Sequence, residues 1–360
     1  MEEYYITEIS PSDLRGNAQV DALLAAEGIR RDSHLDYTCG MYDEEGDLIA
    51  TGSCFGNTLR CMAVKGSHRG EGLMNQIVTH LNDIQIRRGN TRLFLYTKCD
   101  SAAFFSGLGF YKIAEIKDQI VFMENRRGGF ASYLERLKKE TADAPAATAL
   151  GGPVDPSRTA SIVMNANPFT LGHLSLVETA AAENDLLHLF MVSEDQSLIP
   201  FSIRKRLILE GTSHLKNIVY HESGPYMIST ATFPSYFQKD SAAVYKSHAM
   251  LDLAIFTQIA KSLGIGCRYV GEERNSQVTA VYNKIMSRHL PEQGIRCRIL
   301  PRKEYQGTAI SASDVRRVIQ TGHIDKLAGV VPASTLRYFR SPEAEPIIRR
   351  IRSAGNVVHH

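Results

Sequence analysis

From residue 159 onward, apolar positions come in short runs separated by longer stretches with helical spacing. Residues 161–164 (SIVM) are largely apolar and partly β-branched, as a strand buried on both faces requires. An Ala- and Leu-rich stretch over 173–184 follows with helical spacing. The same reading predicts strands over 186–192, 218–220, 266–270 and 297–300. It predicts helices over 202–215, about 242–263, 278–289 and 311–321. Alternation of this kind predicts an α/β unit, a parallel sheet with helices on both faces. Ligands in such sheets sit at the carboxyl ends of the strands, where the Ser193-Glu194-Asp195 and Gly271-Glu272-Glu273 loops are expected.

Before residue 140 the pattern differs. Residues 38–41 and 48–55 read as strands joined by the turn residues Asp43-Glu44-Glu45-Gly46, and 59–64 reads as another. Ser67-His68-Arg69-Gly70-Glu71-Gly72-Leu73-Met74 then leads into an amphipathic helix reaching about residue 88. A further strand is predicted over 93–97, ahead of the segment 102–110, AAFFSGLGF. Between the two patterns, residues 141–159 (TADAPAATALGGPVDPSRT) are rich in Ala, Pro and Gly and almost free of large apolar side chains. That composition predicts a linker. It divides the chain into a domain over 1–140, a linker over 141–158 and a domain over 159–360. A chain of 360 residues has room for two or three domains with a core each.

Composition narrows the function only slightly. At 43% hydrophobic, 22% charged and a net charge of +2, the chain makes no case for a nucleic-acid or membrane surface. No apolar run approaches the length of a membrane span. The start, MEEYYITEIS, is acidic and lacks the basic and apolar regions of a signal peptide. Six cysteines, at 39, 54, 61, 99, 267 and 297, form neither a CxxC pattern nor a dense disulfide framework. They are expected to be reduced thiols of a cytoplasmic enzyme.

Candidate chemistry begins at the turn after the predicted strand 161–164. Pro168 fixes one φ and biases Asn167 toward an extended conformation. Thr170-Leu171-Gly172-His173 follows, and the helix begins at once. A helix that starts just beyond a parallel strand presents free N–H groups and the positive end of its dipole, a ready site for phosphate. Gly172 would let a phosphate come close to the backbone, and His173 would place a second donor beside it.

These residues carry resemblances. TLGH resembles the HxGH phosphate motif of the nucleotidylyl transferases, with Thr170 where the first histidine usually stands. Ile310-Ser311-Ala312-Ser313-Asp314-Val315-Arg316 resembles the second signature of that superfamily, ISxSxVR. The fold implied is a Rossmann-like α/β domain. The N-terminal pattern resembles the α+β fold of the GNAT acetyltransferases, where an RGxG-type loop before a helix holds the pyrophosphate of coenzyme A. Arg69, Gly70 and Gly72 stand at that loop, and FFSGLGF is similar to a second GNAT signature. Ser67 stands where the family usually has Gln or Arg. Phe105 stands where GNAT enzymes often carry a tyrosine that protonates the leaving thiolate, which a phenyl ring cannot do. Nearly the whole chain is covered by a third resemblance. NANPFTLGH, SEDQSLIPFSIRKRLILEGT, ATFPSYFQKD, GEERNSQVTAVYN and ISASDVRR together resemble the citrate lyase ligase family. Such ligases use ATP and acetate to acetylate the thiol of citrate lyase's prosthetic group, a CoA-like arm on the acyl carrier subunit. AMP and pyrophosphate are the implied products. Composition and spacing alone reach only an ATP-using adenylyl-transfer site.

A carboxylate attacking an α-phosphate approaches a highly negative centre, so catalysis needs positioning and cationic or N–H donors rather than a protein nucleophile. On that chemistry His173 and the helix start bind phosphates, and Ser311 and Ser313 cap the later helix and donate to the β- and γ-phosphates. Arg316 and Arg204 neutralise developing charge, with Mg²⁺ bridging phosphate oxygens. Plain readings stand beside these. His173 can be a surface histidine, and Gly70 and Gly72 can simply make a tight turn. Thr170, Ser311 and Ser313 can be helix caps without a ligand. Arg204-Lys205-Arg206 can be a solvated helix face. Asp195 and Glu272 are possible ligands of Mg²⁺ or ribose, and Phe233, Tyr236 and Phe237 pack in a core or line the acyl pocket. The tail residues His359 and His360 have no metal-ligand spacing. Three activities compete: the acetate:thiol ligase, a nucleotidyltransferase acting on a phosphorylated small molecule such as phosphopantetheine, and a GNAT acetyltransferase using acetyl-CoA. The first domain as a carrier-binding module is compatible with the ligase.

Overall fold

The computed structural model describes residues 4–32, 35–193, 197–227, 241–272 and 277–355. Asp195, Phe233, Tyr236, Phe237, Glu273, His359 and His360 lie outside the described residues. Contacts divide the chain into two units, Met1–Ser132 with Thr232–Ala254, and Tyr133–Ala231 with Ile255–His360.

The first unit is built on a seven-stranded sheet. Its elements are β1 (Tyr5–Glu8), α1 (Leu14–Ala26), β2 (Tyr37–Tyr42), β3 (Leu48–Phe55), β4 (Thr58–Val64), α2 (Leu73–Arg87), β5 (Phe94–Thr97), α3 (Ala102–Gly107), β6 (Tyr111–Ile116) and β7 (Ile120–Glu124). The order is β1-β2-β3-β4-β5-β7-β6, antiparallel except between β4 and β5. Asp13 starts α1 as an N-cap, its carboxylate accepting from the Gly16 N–H at 2.9 Å. Leu73, Ile77, Val78 and Leu81 form the buried stripe of α2. That stripe lies directly on β3, because a Cβ on Gly52 would meet the Ile77 and Leu81 methyl groups at 2.6 and 2.9 Å. The parallel pair β4–β5 is matched only at Thr58↔Phe94 and Leu59↔Leu95. Beyond those pairs the strands part, and the opening becomes a cleft described below.

Helix α4 (Gly129–Asp143) carries the chain through the boundary at Ser132. The compact units therefore divide the chain elsewhere than at residues 140 and 158. The Ala/Pro/Gly-rich stretch is also folded. Pro145 opens a short helix, α5 (Pro145–Thr148), whose Ala146 is buried with Leu186 and Val219. Asp155 caps a 3-10 turn at Pro156–Arg158. Alanine is the best helix former, so a stretch poor in large apolar residues need not be irregular.

The second unit continues with β8 (Thr159–Met164), α6 (Leu171–Glu183), β9 (Leu186–Met191), α7 (Phe201–Thr212), β10 (Ile218–Glu222), α8 (Ser241–Leu263), β11 (Cys267–Gly271), α9 (Gln277–Glu292) and β12 (Arg296–Leu300). The first part of α8, through Ala254, counts with the first unit. A small hairpin, β13 (Glu304–Tyr305) and β14 (Thr308–Ala309), precedes α10 (Ala312–Gln320), α11 (Ala333–Phe339) and α12 (Glu345–Ser353). The five main strands are all parallel, in the order β10-β9-β8-β11-β12. Chain order reverses between β8 and β11, the crevice where doubly wound sheets take ligands. The Rossmann-like α/β fold and the α+β N-terminal unit are as expected, with element ends shifted by a few residues. Ile162, Leu187, Leu189, Met191 and Tyr269 form one side of the core, closed by Val177, Val315, Ile319, Phe339 and Ile351. Within this unit a buried chain links His188 Nδ1 to His221 Nε2 at 3.0 Å and His221 Nδ1 to Glu140 at 2.7 Å. Burial pushes the His188 pKa down to about 3 and lowers that of His221. All six cysteines are free. Among the described residues, no helix is long and apolar enough to cross a membrane.

Candidate active site

The loop leaving β8 holds its backbone against its own preferences. Ala166 sits at φ +49°, a left-handed conformation that a residue with a Cβ adopts only where its surroundings impose it. The Asn167-Pro168 bond is cis. Phe169 is fully buried and its ring stacks on His173, with centroids 6.0 Å apart and planes 11° from parallel. Thr170 is the N-cap of α6, and its hydroxyl oxygen accepts from the His173 backbone N–H at 3.3 Å. In return the Thr170 N–H donates to His173 Nδ1 at 3.1 Å. A backbone N–H can only donate, so Nδ1 carries the lone pair and the ring proton belongs to Nε2. Among the described residues Nε2 has no partner. Burial, with help from the charge of Arg302, pushes the His173 pKa down to about 4. At neutral pH His173 is thus an uncharged Nε2–H donor at a helix start.

The second signature turn lies against the first. Ser311 caps α10, its oxygen accepting from the Asp314 N–H at 3.0 Å and its hydroxyl donating to the Asp314 carboxylate at 2.6 Å. The Arg316 guanidinium donates to Ser313 Oγ at 3.2 Å and to the Asn167 carbonyl at 2.5 Å, joining α10 to the loop after β8. Gly172 is where the turns touch. A Cβ there would lie 3.4 Å from the Ile310 carbonyl oxygen and 3.4 Å from Thr170 Oγ1. Thr170, Gly172, His173, Ser311, Ser313 and Arg316 therefore gather at the carboxyl end of β8, beside the reversal point of the sheet.

Two expected cations lie behind this surface. Arg204, on α7, is 0% exposed. Its Nε donates to the Ile199 carbonyl at 3.0 Å, and Nη1 donates to the Asn165 carbonyl at 2.9 Å, Asn165 Oδ1 at 2.8 Å and the Val192 carbonyl at 2.8 Å. It braces the exits of β8 and β9. Arg316 is 3% exposed, and burial pushes its pKa down to about 10, which leaves it charged at neutral pH. The neighbours of Arg204 do form a solvated face: Lys205 pairs with Glu222 and Arg206 with Glu343. Sequence reasoning missed Arg302, which follows β12 and is half-buried. Its Nε donates to the Glu272 carbonyl at 2.7 Å. The available signal was Pro301-Arg302-Lys303 directly after a strand end.

Arg69, Gly70 and Gly72 belong to the first unit. Gly70 and Gly72 adopt φ +93° and +78°, and Gly72 is the N-cap of α2. Arg69 is ion-paired with Glu27, while Glu71 accepts from the Tyr4 hydroxyl at 2.9 Å. The turn borders a cleft of about 720 Å³ that runs between the parted strands β4 and β5, past Val64, Met74, Thr97, Lys98 and Phe104. Phe105 lines it too, packed edge-on against Phe104 and Phe110.

Comparison with known proteins adds a lineage to this geometry. Residues 159–339 match the family described as "Citrate lyase ligase C-terminal domain". A protein of Haemophilus influenzae named [citrate [pro-3S]-lyase] ligase is 36% identical over 330 residues, covering 89% of this chain and 94% of that protein. The Escherichia coli K12 protein of the same name is 35% identical over 341 residues, covering 93% of each. A solved structure of a putative acyl-CoA N-acyltransferase from Klebsiella pneumoniae aligns with 34% of this chain and 95% of its own, at 19% identity and a TM-score of 0.27.

Proposed function

The chain belongs to the citrate lyase ligase family and is an acid–thiol ligase, and from that premise we propose a two-step reaction. In the first step an acetate oxygen attacks the α-phosphorus of ATP, forming acetyl-adenylate and releasing pyrophosphate. In the second, the thiol of the CoA-like arm on citrate lyase's acyl carrier subunit takes the acetyl group and AMP leaves. The observation that carries this reading is the neutral Nε2–H of His173, fixed by the Thr170 N–H at the start of α6 and adjoining the Ser311–Asp314 cap. Charge develops on non-bridging and leaving oxygens as pyrophosphate departs, and donors already in place stabilise it without reorganisation. Thr170 and Ser311 hold the two helix starts, which adjoin at Gly172, and Arg204 and Arg316 fix the loop from behind.

Among the described residues, no group of three or more His, Cys, Asp or Glu side chains could hold a metal ion. A Mg²⁺ that enters on the phosphates of ATP keeps most of its ligands on phosphate and water. The described part of the site offers N–H donors at two helix starts, which would orient the phosphates. The cleft of the first unit suits the arm: it has a volume of about 720 Å³, is partly apolar, and is edged by Lys98 and by the turn 69–72. With a phenyl ring at 105, that unit would bind the arm rather than transfer acetyl from CoA.

Acetate-dependent exchange of labelled pyrophosphate into ATP tests the first step without the partner protein. The expected result is exchange that requires acetate. Formation of a dinucleotide from phosphopantetheine would favour the nucleotidyltransferase, and release of CoA from acetyl-CoA would favour the acetyltransferase.

A further inference from the structure

We propose that Asn165, together with Ser197, binds the carboxylate of the acid substrate and aims it at the α-phosphorus. This deepens the adenylation reading and rests on it. Asn165 is the first residue after β8, so it stands at the carboxyl end of the central strand. It is exposed, yet its amide has one fixed orientation. The Arg204 guanidinium donates to Asn165 Oδ1 at 2.8 Å, and Asn165 Nδ2 donates to Ser197 Oγ at 3.0 Å. A guanidinium only donates, so Oδ1 must face Arg204 and the NH₂ group takes the other side. That group carries two N–H donors, and Ser197 takes one. The second has no partner among the described residues.

Ser197 supplies a further donor. Its oxygen accepts from Nδ2, and its proton is left a long 3.4 Å contact to Asn165 Oδ1, an atom that Arg204 already engages. Ser197 is 6% exposed, so that hydroxyl is shielded from bulk water. Two neutral donors side by side match the two oxygens of a carboxylate, which only accept. Neutral donors also suit a nucleophile, because no direct ion pair ties up its lone pairs. The charge stands one group behind, in Arg204, where it polarises the amide toward donation. Place separates this site from the phosphate donors. In the sheet, β9 and β12 lie on opposite sides of β8. Ile310, which adjoins Gly172, arrives from β12. Asn165 is tied instead to Ser197 and, through Arg204, to the Val192 carbonyl, both of which follow β9. The second signature turn and the amide thus reach the loop after β8 from opposite sides, as an in-line displacement asks of leaving and attacking oxygens.

The test is exchange of labelled pyrophosphate into ATP by the full chain, at varied acetate and varied ATP, for wild type, Asn165→Asp and Ser197→Ala. Asn165→Asp keeps the oxygen that Arg204 holds and replaces the donor by an oxygen that repels a carboxylate. Losing a hydrogen bond to a charged group should raise the KM for acetate about 10- to 100-fold in Asn165→Asp. Ser197→Ala should raise it about 3- to 10-fold, and both variants should keep the KM for ATP within about twofold. An unchanged acetate KM in Asn165→Asp overturns the proposal. So does an equal rise in both KM values, which would give the amide to the nucleotide or to the fold of the loop. If Asn165→Asp does not fold, an unchanged acetate KM in folded Ser197→Ala overturns it as well. If wild type shows no acetate-dependent exchange, the adenylation reading falls, and binding of carbon-13-labelled acetate in the presence of ATP, followed by NMR, decides instead. Equal acetate affinity in wild type and Asn165→Asp then overturns the proposal, and weaker affinity in the variant supports it. A wild-type chain that binds no acetate overturns both.

Discussion

The turns at 69–72 and 170–173 each set a glycine beside a basic residue at the mouth of a helix, and both read from sequence as places where a phosphate meets backbone. They are built differently. Gly70 and Gly72 have left-handed φ values, and a Cβ on either would meet nothing within 4 Å. These glycines serve the conformation of an open turn beside a cleft. Gly172 has no such φ, and a Cβ there would reach ordinary contact with the Ile310 carbonyl and the Thr170 hydroxyl. It marks where the two signature turns lie against each other. The same residue type thus answers a conformational need in one unit, while in the other neither φ nor packing demands it. The first turn is exposed and steered by ion pairs, while the second is braced from behind by two buried arginines.

The largest effect should come from the second turn. Removing a preorganised donor commonly costs about 100- to 1000-fold in rate. His173→Ala should therefore lose most acetate-dependent exchange while its circular dichroism stays that of wild type. Near-normal exchange in a folded variant would place the chemistry elsewhere. Acid sharpens the contrast further. The folded pKa values of His173 and His188 lie near 4 and 3, below the ordinary 6.5. The unfolded chain then binds more protons, so their contribution to stability is full above about pH 6.5 and is lost as pH falls toward the folded values. Each can cost about 1.4 kcal/mol per pH unit across that window. Denaturant midpoints at about pH 7.5 and about pH 5.5 should show clear destabilisation in acid. Equal midpoints would mean that these rings are not buried neutral.

A smaller effect is expected at the first turn's cleft. Lys98→Glu should leave exchange near wild type and slow acetylation of the carrier about tenfold, by placing a negative charge where a phosphorylated arm would lie. Equal loss in both assays would erase the division of labour between the units. Smallest are the glycines themselves. Gly70→Ala should cost about 1–2 kcal/mol, because a Cβ is unfavourable at left-handed φ. Gly172→Ala should be neutral to about 1 kcal/mol stabilising, since alanine favours the helix and its Cβ makes ordinary contacts. Its exchange should fall by less than about tenfold. A stable Gly172→Ala without exchange would instead mean that phosphate occupies the glycine's surface, and the two turns would be alike after all.

Much of the second unit was legible because its strands are near-continuous apolar runs and its two signature turns are helix starts, both local features. The caps at Thr170 and Ser311 follow from residue type alone. Arg204 was harder. In the basic cluster only spacing distinguishes it: it falls three and four residues before the buried Leu207 and Ile208, on the inward face of α7. Arg302 sits in no motif, and its tie to the Glu272 carbonyl appears only when the ends of β11 and β12 are placed side by side. The short edge strand Tyr5–Glu8 is mostly exposed and gave little periodicity to read. Nothing local could show that residues beyond 240 belong with the first unit, because that assignment rests on long-range contacts.

That last arrangement bears on how the protein can be taken apart. The first unit's covalent path is broken: the buried Ser247, in the first half of α8, donates to Gln119 at 3.0 Å, more than a hundred residues upstream. A fragment ending at residue 140 would carry the cleft but not the strip of α8 that completes the unit. His248, Ala249, Leu251 and Leu253, all buried in the intact chain, would be stranded on the other piece. Separate expression of the halves, domain exchange with a relative, or a fluorescent tag inserted near 150 therefore test different things. Only a cut or insertion that leaves α8 attached to both halves keeps either unit whole. A circularly permuted chain that begins between the two segments of the first unit would still have to cross from one unit to the other at Ala254.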